Sequence, residues 1–153
     1  MSRAIEPVVV VRRATLAEIM ALRHAELRPG RPLDAARFDG DGDPTTRHFA
    51  AFLQNDPDAV GCASAMARPW EGESAFQLRG MATRAALVRR GIGAALLRFL
   101  EPAICAEAGV RLLWCNARRA AVPFYRRLGW EVVSDEFDIP TVGPHHTMIH
   151  RHA

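Results

Sequence analysis

The sequence predicts an α/β (α+β) fold in which one mixed sheet is covered by helices. Short β-branched or apolar runs recur along the 153 residues, and three stretches with helical apolar spacing lie between them. In order, the elements read β-α-β-β-β-α-β-α-β-β, and such alternation is typical of a sheet packed against helices. No repeat, low-complexity segment or linker interrupts the chain, so we predict a single domain over residues 1–153.

The first half of the chain predicts one helix and four strands. Thr15, followed three residues later by Glu18, fits a capping box, and the apolar spacing carries the helix to about Leu27. Arg28–Thr46 is rich in Pro, Gly and Asp and predicts a long loop with a short helical turn. Gly80, inside a strand, indicates a bulge or a close backbone approach. The predicted strands are Val8–Val11, His48–Gln54, Ala59–Ala67 and Ser74–Thr83.

The second half predicts two helices and three strands. Gly91–Gly109 has the strongest helical spacing, and Gly109 stands where a C-cap is expected. A second helix is predicted over Ala120–Leu128, with Pro123 in its first turn, where proline is tolerated. The predicted strands are Arg111–Cys115, Trp130–Phe137 and Gly143–His150.

The composition excludes several functional classes. Hydrophobic residues make up 49% and charged residues 24%, as in ordinary globular domains. All 20 basic residues are arginine, so no lysine can form a Schiff base or bind phosphate in a P-loop. The net charge is only +3 and the arginines are dispersed along the chain. We therefore expect no nucleic-acid partner.

The cysteines and the N-terminus predict a cytoplasmic protein. Cys62, Cys105 and Cys115 lack metal-ligand spacing and are odd in number, which favours small buried thiols in a reducing compartment. The N-terminus has no signal-peptide core, and the apolar run at 8–11 is too short to cross a bilayer. We expect no membrane partner, and a homodimer is compatible with the sequence.

The most informative segment is a strand that leads through a glycine-containing turn into a helix. Small residues at Gly91, Gly93 and Ala94 let backbone N–H groups approach a ligand closely. The free N–H groups and the dipole at a helix start favour an anion, typically phosphate. Three arginines add charge there: Arg84, Arg89 and Arg90. A tight turn without a ligand remains the alternative, and a dinucleotide fingerprint fits worse because Leu96 replaces its third small residue.

Two separated motifs resemble the GNAT superfamily of acetyl-CoA-dependent N-acetyltransferases. The first is the stretch 79–97, and after Asn116 the second follows as Ala121-Val122-Pro123-Phe124-Tyr125-Arg126-Arg127-Leu128-Gly129-Trp130. The resemblance implies a single GNAT-like domain. Its central sheet is mostly antiparallel, has about seven strands and is flanked by three to four helices.

The resemblance also implies roles for residues. Backbone groups of Met81 and Thr83 would bond the pantetheine arm, the turn from Arg89 to Ala94 would hold the pyrophosphate, and Asn116, just after the fifth strand, would bond the cofactor arm. Val88 stands where the family often has Gln or Arg, and a frame shifted to Arg90 restores that arginine. The implied cofactor-binding residues are Met81, Ala82, Thr83, Arg89, Arg90, Gly91, Ile92, Gly93, Ala94, Asn116 and Phe124.

The predicted reaction is acetyl transfer from acetyl-CoA, as co-substrate, to a primary amine of a small molecule or peptide in one ternary complex. Tyr125, the single tyrosine, would protonate the departing thiolate, because a phenol of pKa about 10 can share a proton with a thiol of pKa about 8.5. A catalytically silent acyl-CoA-binding or regulatory module is the alternative. A dinucleotide-dependent enzyme is a weaker one. Cys115 as a nucleophile is disfavoured by its apolar neighbours.

The acceptor side is less defined. Arg79 and His145 are the expected substrate-binding residues, and the acceptor itself stays open. No metal site is predicted: His146, His150 and His152 alternate along the last strand, but no Cys or carboxylate has ligand spacing. The acidic turn at 39–43 imitates a calcium loop, yet Pro44 and Ala50 occupy its essential positions. The candidate general bases are His145, His146, Glu73 and Glu136.

Overall fold

The structure is a computed structural model and describes residues 8–152. This part of the chain divides into two compact units. The first contains residues 8–64 and 80–99, and the second contains residues 65–79 and 100–152. None of the helices within this described span is long and apolar enough to cross a membrane.

Eight strands pair into the mixed sheet that the sequence predicts. In the first unit the order is β1-β2-β3-β4, and β1 pairs antiparallel with β2 from Val9↔Leu53 to Ala14↔His48. These strands are β1 (Val9–Ala14), β2 (Arg47–Leu53), β3 (Ala59–Ala67) and β4 (Ala75–Thr83). The predicted β1 is therefore correct in place but three residues too short at its end.

In the second unit β4 pairs in parallel with β5, and β5 pairs antiparallel with β8. Two short strands, β6 and β7, also pair antiparallel with β8. The parallel β4–β5 ladder covers only Ala75–Gln77, although β4 runs on to Thr83. The remaining strands are β5 (Leu112–Arg118), β6 (Glu131–Val132), β7 (Phe137–Ile139) and β8 (Gly143–Arg151).

Helix α1 (Leu16–Leu27) forms with the predicted capping box. Thr15 Oγ1 accepts the Glu18 N–H at 3.3 Å, and Glu18 Oε1 accepts the Thr15 N–H at 2.9 Å. Both bonds satisfy donors that a helix start would otherwise leave open. The helix buries Ile19 and Leu22 in a cluster with residues of β2 and β3. The following loop contains the predicted helical turn, a 3-10 helix at Leu33–Ala36.

Helix α2 (Ile92–Ala108) confirms the strongest helix prediction. It continues through Pro102, which removes one backbone donor from the helix interior. Gly109 ends it with a φ of 67° and donates its N–H to Cys105 O at 3.0 Å. In the first unit, α2 packs closely on β3, because a Cβ at Gly61 would lie 2.7 Å from Ile92 Cγ2.

One strand prediction is wrong, and one helix prediction is confirmed with a shorter α-helical part. The predicted strand Trp130–Phe137 is instead split into β6 and β7. The cause is Ser134, whose hydroxyl accepts the Thr147 N–H at 2.8 Å, so a side chain replaces a backbone acceptor in the ladder. The predicted helix Ala120–Leu128 is a 3-10 turn at Arg119–Ala121 followed by α3 (Val122–Arg127).

Candidate functional site

In the first unit, the turn before α2 has an unusual backbone. Arg89 has a φ of 64° and Gly91 a φ of 80°, so two residues with left-handed φ values flank Arg90. Such backbone is costly for a side-chain-bearing residue and natural for glycine. The first helical bond runs from Ala95 N–H to Gly91 O at 2.9 Å. The N–H groups before it, those of Ile92, Gly93 and Ala94, therefore precede the hydrogen-bonded ladder and suit an anion.

The charge at this turn comes from two of the three predicted arginines. Arg89 and Arg90 are exposed, and their side chains form no hydrogen bond or ion pair with any other residue between 8 and 152. Arg84 instead pairs with Asp56 at 3.7 Å, and its backbone N–H donates to Val60 O at 2.8 Å. The positive charge available to a phosphate is thus that of Arg89 and Arg90.

The end of β4 is bent beside the same unit's core. Gly80 has a φ of 59°, and a Cβ there would lie 2.9 Å from Arg23 Nε, so the predicted close approach is confirmed. Beyond the bend, Met81 and Thr83 are half-buried while Ala82 is buried in the α1–β2–β3 cluster. Met81 and Thr83 therefore lie on the opposite face of the strand from Ala82.

In the second unit, Tyr125 is enclosed by aromatic rings and a thiol. The residue is 7% exposed, and its ring centroid lies 5.1 Å from that of Phe124 and 5.3 Å from that of Trp130. Its hydroxyl is hydrogen-bonded to the Cys115 sulfur. The sequence pointed to Tyr125 by its motif, but not to Cys115 as its partner, because the two residues lie on separate elements.

Burial changes the acid–base chemistry of this pair. It raises the pKa of Tyr125 well above 10, and the neighbouring Cys115 sulfur raises it further. Burial also raises the pKa of Cys115, while the hydrogen bond from Tyr125 lowers it. The expectation of an unperturbed phenol is therefore wrong. Tyr125 therefore stays protonated in this environment, and Cys115 is a buried, unreactive thiol.

Asn116 lies within β5 rather than after it. Its register partner is Thr147 of β8, and its Oδ1 accepts the Thr147 hydroxyl at 3.0 Å. β5 extends past the predicted end at Cys115 because β8 pairs with it along its full length. Asn116 is exposed, and strand alternation places it on the face opposite Cys115.

The acceptor-side candidates also lie in the second unit. The half-buried Arg79 contacts Met66 Sδ at 2.9 Å through Nη1. His145 is buried, stacks on Phe137 and lies 2.7 Å through Nδ1 from Gly143 O.

Within the described span, no group of three or more His, Cys, Asp or Glu side chains is arranged so that it could hold a metal ion. Glu101 Oε1 instead accepts the Trp130 indole N–H at 2.9 Å, and Oε2 lies 2.8 Å from His150 Nδ1. Because the residues of this buried cluster lie far apart in the chain, no sequence pattern predicted it.

Comparison with known proteins gives a consistent assignment. The sequence model described as the Acetyltransferase (GNAT) family matches residues 14–130. An uncharacterized N-acetyltransferase of Bacillus subtilis (strain 168), YitI, is 31% identical over 139 residues, which cover 90% of this chain and 93% of the relative.

Solved structures share the fold. An aminoglycoside 6'-N-acetyltransferase complexed with coenzyme A superposes with a TM-score of 0.73 at 15% identity, over 93% of this chain and 96% of that one. The NatC complex bound to Gag peptide and CoA gives a TM-score of 0.74 at 14% identity, over 95% and 99% of the two chains. On its matched family model and its curated relative, the chain belongs to the GNAT acetyltransferase family.

Proposed function

We propose that the protein transfers an acetyl group from acetyl-CoA to a primary amine of a small molecule or peptide, by direct transfer in a ternary complex. The family supports acyl transfer from a CoA thioester. The observation that carries the finer proposal is Tyr125, a buried phenol fixed between the rings of Phe124 and Trp130, whose centroids lie 5.1 and 5.3 Å from its own. A protonated, fixed donor is what a departing thiolate requires.

The donor would be held by the residues that the resemblance assigns. The N–H groups at the start of α2 and the charges of Arg89 and Arg90 suit the pyrophosphate. The end of β4, with Met81 and Thr83, suits the pantetheine arm, which pairs with backbone as an added strand would. Asn116 and Phe124 would complete the arm's contacts. An acetyl group is the simplest acyl group consistent with the family's name.

In the reaction, the amine nitrogen attacks the thioester carbonyl carbon, the C–N bond forms and the C–S bond breaks. The Tyr125 hydroxyl, hydrogen-bonded to Cys115 in this structure, gives its proton to the leaving sulfur, and the tyrosinate regains a proton from the amide nitrogen. Holding both substrates in one complex replaces a bimolecular encounter with a unimolecular step. No covalent enzyme intermediate is needed.

The predictions about the acceptor, the cellular location, the partners and the oligomeric state belong to the same proposal. The acceptor is a small-molecule or peptide amine, with Arg79 among its contacts. We propose a cytoplasmic protein without nucleic-acid or membrane partners, on the sequence grounds of dispersed charge and reduced thiols. A homodimer fits the same proposal, and sedimentation measures it directly.

Titration of the purified protein with acetyl-CoA tests the proposal, followed by release of free thiol in the presence of a panel of primary amines. Tyr125→Phe should retain acetyl-CoA binding and lose turnover by about 10²–10⁴-fold, because the ring remains and only the proton donor is removed. Arg126→Gln, on the exposed side of α3, is the matched control and should change neither quantity.

Three outcomes would count against parts of this scheme. A folded protein that does not bind acetyl-CoA contradicts the donor site. Full turnover by Tyr125→Phe contradicts the acid role of Tyr125. Binding without turnover toward every amine in the panel favours a silent acyl-CoA-binding module.

A further inference from the structure

His145 occupies a sheltered position in the second unit. The residue is 4% exposed, and its ring stacks on Phe137 with centroids 6.1 Å apart and planes 28° apart. On the other side of β8, its register partner is Arg118 of β5. His145 lies beyond residues 14–130, the stretch that matches the family model. No role for it therefore follows from that match.

The hydrogen bond at one ring nitrogen fixes the chemistry of the other. Nδ1 lies 2.7 Å from Gly143 O, and a carbonyl oxygen can only accept. The proton must therefore sit on Nδ1. In the neutral ring this leaves the lone pair on Nε2, which makes Nε2 the basic atom.

Nε2 of His145 has no hydrogen-bond partner among the described residues, although the residue is buried. No hydrogen bond to Nε2 is formed within residues 8–152. Among those residues, the one fully sealed side-chain nitrogen or oxygen without a partner is Arg23 Nε. The unpartnered Nε2 of His145 is thus not sealed and retains solvent-accessible surface. A ring locked by stacking and a hydrogen bond, with its basic atom accessible, is the arrangement that proton transfer requires.

The other candidate bases are engaged elsewhere. Glu73 is held by two bonds from Arg151, at 2.7 and 3.0 Å, which lower the pKa of its carboxyl and weaken it as a base. Glu136 Oε1 lies 3.3 Å from Arg119 and 3.8 Å from His146 Nε2. His146 is thereby directed at a carboxylate.

The β5–β8 ladder separates His145 from the proposed acid. Cross-strand partners share a face, so His145 and Arg118 lie on one side of the ladder. Cys115, three residues from Arg118, points to the other side, and the Tyr125 hydroxyl is bonded to it. Base and acid therefore belong to opposite faces of the β5–β8 pair, so a shared thioester would take the amine from the His145 face and release its sulfur toward the Tyr125 face.

We propose that His145 is the general base of the transfer reaction and that its Nε2 takes a proton from the acceptor ammonium. This inference rests on the proposed function. The neutral amine then attacks the thioester carbonyl carbon, the C–N bond forms, and the C–S bond breaks with its electron pair on sulfur. Sulfur takes the Tyr125 proton, the tyrosinate recovers one from the amide nitrogen, and the imidazolium releases its proton to solvent.

The test separates basicity from structure through two variants. In His145→Asn the side-chain amide keeps a donor for Gly143 O but has no basic nitrogen. We expect acetyl-CoA binding to be retained and kcat/KM for the amine to fall about 10²–10⁴-fold. In His145→Ala, added imidazole should restore activity in proportion to its concentration. His152→Asn, just beyond β8, is the matched control and should behave as the wild type.

The acid limb of the pH–rate profile gives a second readout. It should disappear in His145→Asn and persist in the wild type and in the control. The charged groups on the elements next to His145, which also shape that limb, are Arg118 of β5, Arg119 of the adjoining 3-10 turn, and Glu136 and Asp138 beside Phe137.

The outcomes are distinct. A wild-type protein that binds acetyl-CoA but acetylates no amine overturns the proposed function and, with it, the base. An active wild type with an equally active His145→Asn variant overturns the base alone. A loss of activity that imidazole does not restore, accompanied by weaker acetyl-CoA binding, makes His145 structural and also overturns the base.

Discussion

Arg23 shows how far a single residue can shape its surroundings. This arginine is 0% exposed on α1, and its guanidinium meets the Asp41 carboxylate at 2.6 and 3.2 Å, Ser64 Oγ at 2.8 Å and Ala36 O at 2.9 Å. A buried charge is tolerated only when it is paired in this way. Because those bonds fix the guanidinium, the chain passing beside Nε must lack a Cβ, which explains glycine at position 80.

Replacing Gly80 should destabilise the protein by more than the backbone strain that any residue with a side chain has at a positive φ. Gly80→Ala places a Cβ 2.9 Å from Arg23 Nε and 3.1 Å from Phe38 Cε2 at a φ of 59°. Gly30→Ala has a similar φ, 76°, with nothing within 4 Å, so it isolates the cost of the backbone. We expect Gly80→Ala to lower the free energy of unfolding by about 1–3 kcal/mol more than Gly30→Ala, measured by urea denaturation. Equal losses would mean that the guanidinium is not rigid.

Some of these tightly packed residues could be predicted from the sequence, and others could not. Gly80 was predicted as a close approach, because a glycine inside a strand needs a reason. The burial of Arg23 was not predicted, since an arginine in an amphipathic helix normally reads as exposed and its partners lie 18 and 41 residues away. The Cys115–Tyr125 pair escaped prediction for the same reason.

Among the elements, α2 has matching glycines at its two ends. Gly91 and Gly109 have φ values of 80° and 67°, and a Cβ at either would meet nothing within 4 Å. The two positions therefore impose similar backbone strain on any substitution. They differ in surroundings, because only Gly91 adjoins the turn at the helix start.

This pair gives a controlled test of the phosphate cradle. Gly91→Val should weaken acetyl-CoA binding by about 10-fold or more, since the left-handed turn that presents the first N–H groups cannot form without strain. Gly109→Val should lower stability comparably and leave affinity unchanged. Calorimetric titration measures the affinities, and thermal unfolding measures the stabilities. Similar affinities for both variants would place the phosphates elsewhere.

The boundaries of an element were predicted correctly where the capping residues and the apolar spacing indicated the same limits. The α1 limits were correct because Thr15 and Glu18 satisfy the first turn from within the segment. The prediction of one strand over Trp130–Phe137 was wrong because the Ser134 hydroxyl accepts the Thr147 N–H of β8 in place of a backbone carbonyl. This contact depends on β8 and could not be predicted from the segment itself. The end of β5 was likewise set by its pairing partner rather than by its own residues.

Across the whole molecule, stability should depend on pH through His48. His48 Nε2 lies 3.1 Å from Asp41 O and must donate to it, so Nδ1 accepts the Ser64 hydroxyl at 2.6 Å. Burial lowers the pKa of His48 below 6.5, opposed by Asp41 and reinforced by Arg23 and Arg13. The folded protein thus holds His48 neutral while the unfolded chain protonates it at about pH 6.5.

The sign of the effect follows from linkage. A depressed folded-state pKa stabilises the fold above pH 6.5, and that stability is lost as the pH falls below it, because the unfolded chain then binds more protons. The free energy of unfolding should therefore decrease as the pH falls from about 7 toward 5. Urea denaturation at stepped pH values measures it. His48→Gln should flatten this slope, and His152→Gln should not.

At the same scale, the sequence predicted the fold class correctly, and the family assignment confirmed the resemblance. Apart from the split into β6 and β7, the order of helices and strands along the chain and the glycine turn were predicted from local patterns, whereas the order of strands within the sheet was not predicted. The acceptor was not, because the loop after α1 and the residues after β7 carry no motif. Their arrangement depends on long-range bonds such as that of Asp41, whose carboxylate accepts from Arg23 of α1 at 2.6 Å across 18 residues of sequence.

The enclosure of Tyr125 gives the protein a built-in optical reporter. The chain has one tyrosine, so its tyrosinate absorption in the near ultraviolet arises from a single hydroxyl. Since burial beside Cys115 opposes ionisation, that band should stay absent in alkaline solution for as long as α3 covers the ring. The appearance of this tyrosinate band would therefore report when α3 separates from β5, and the measurement needs no added label.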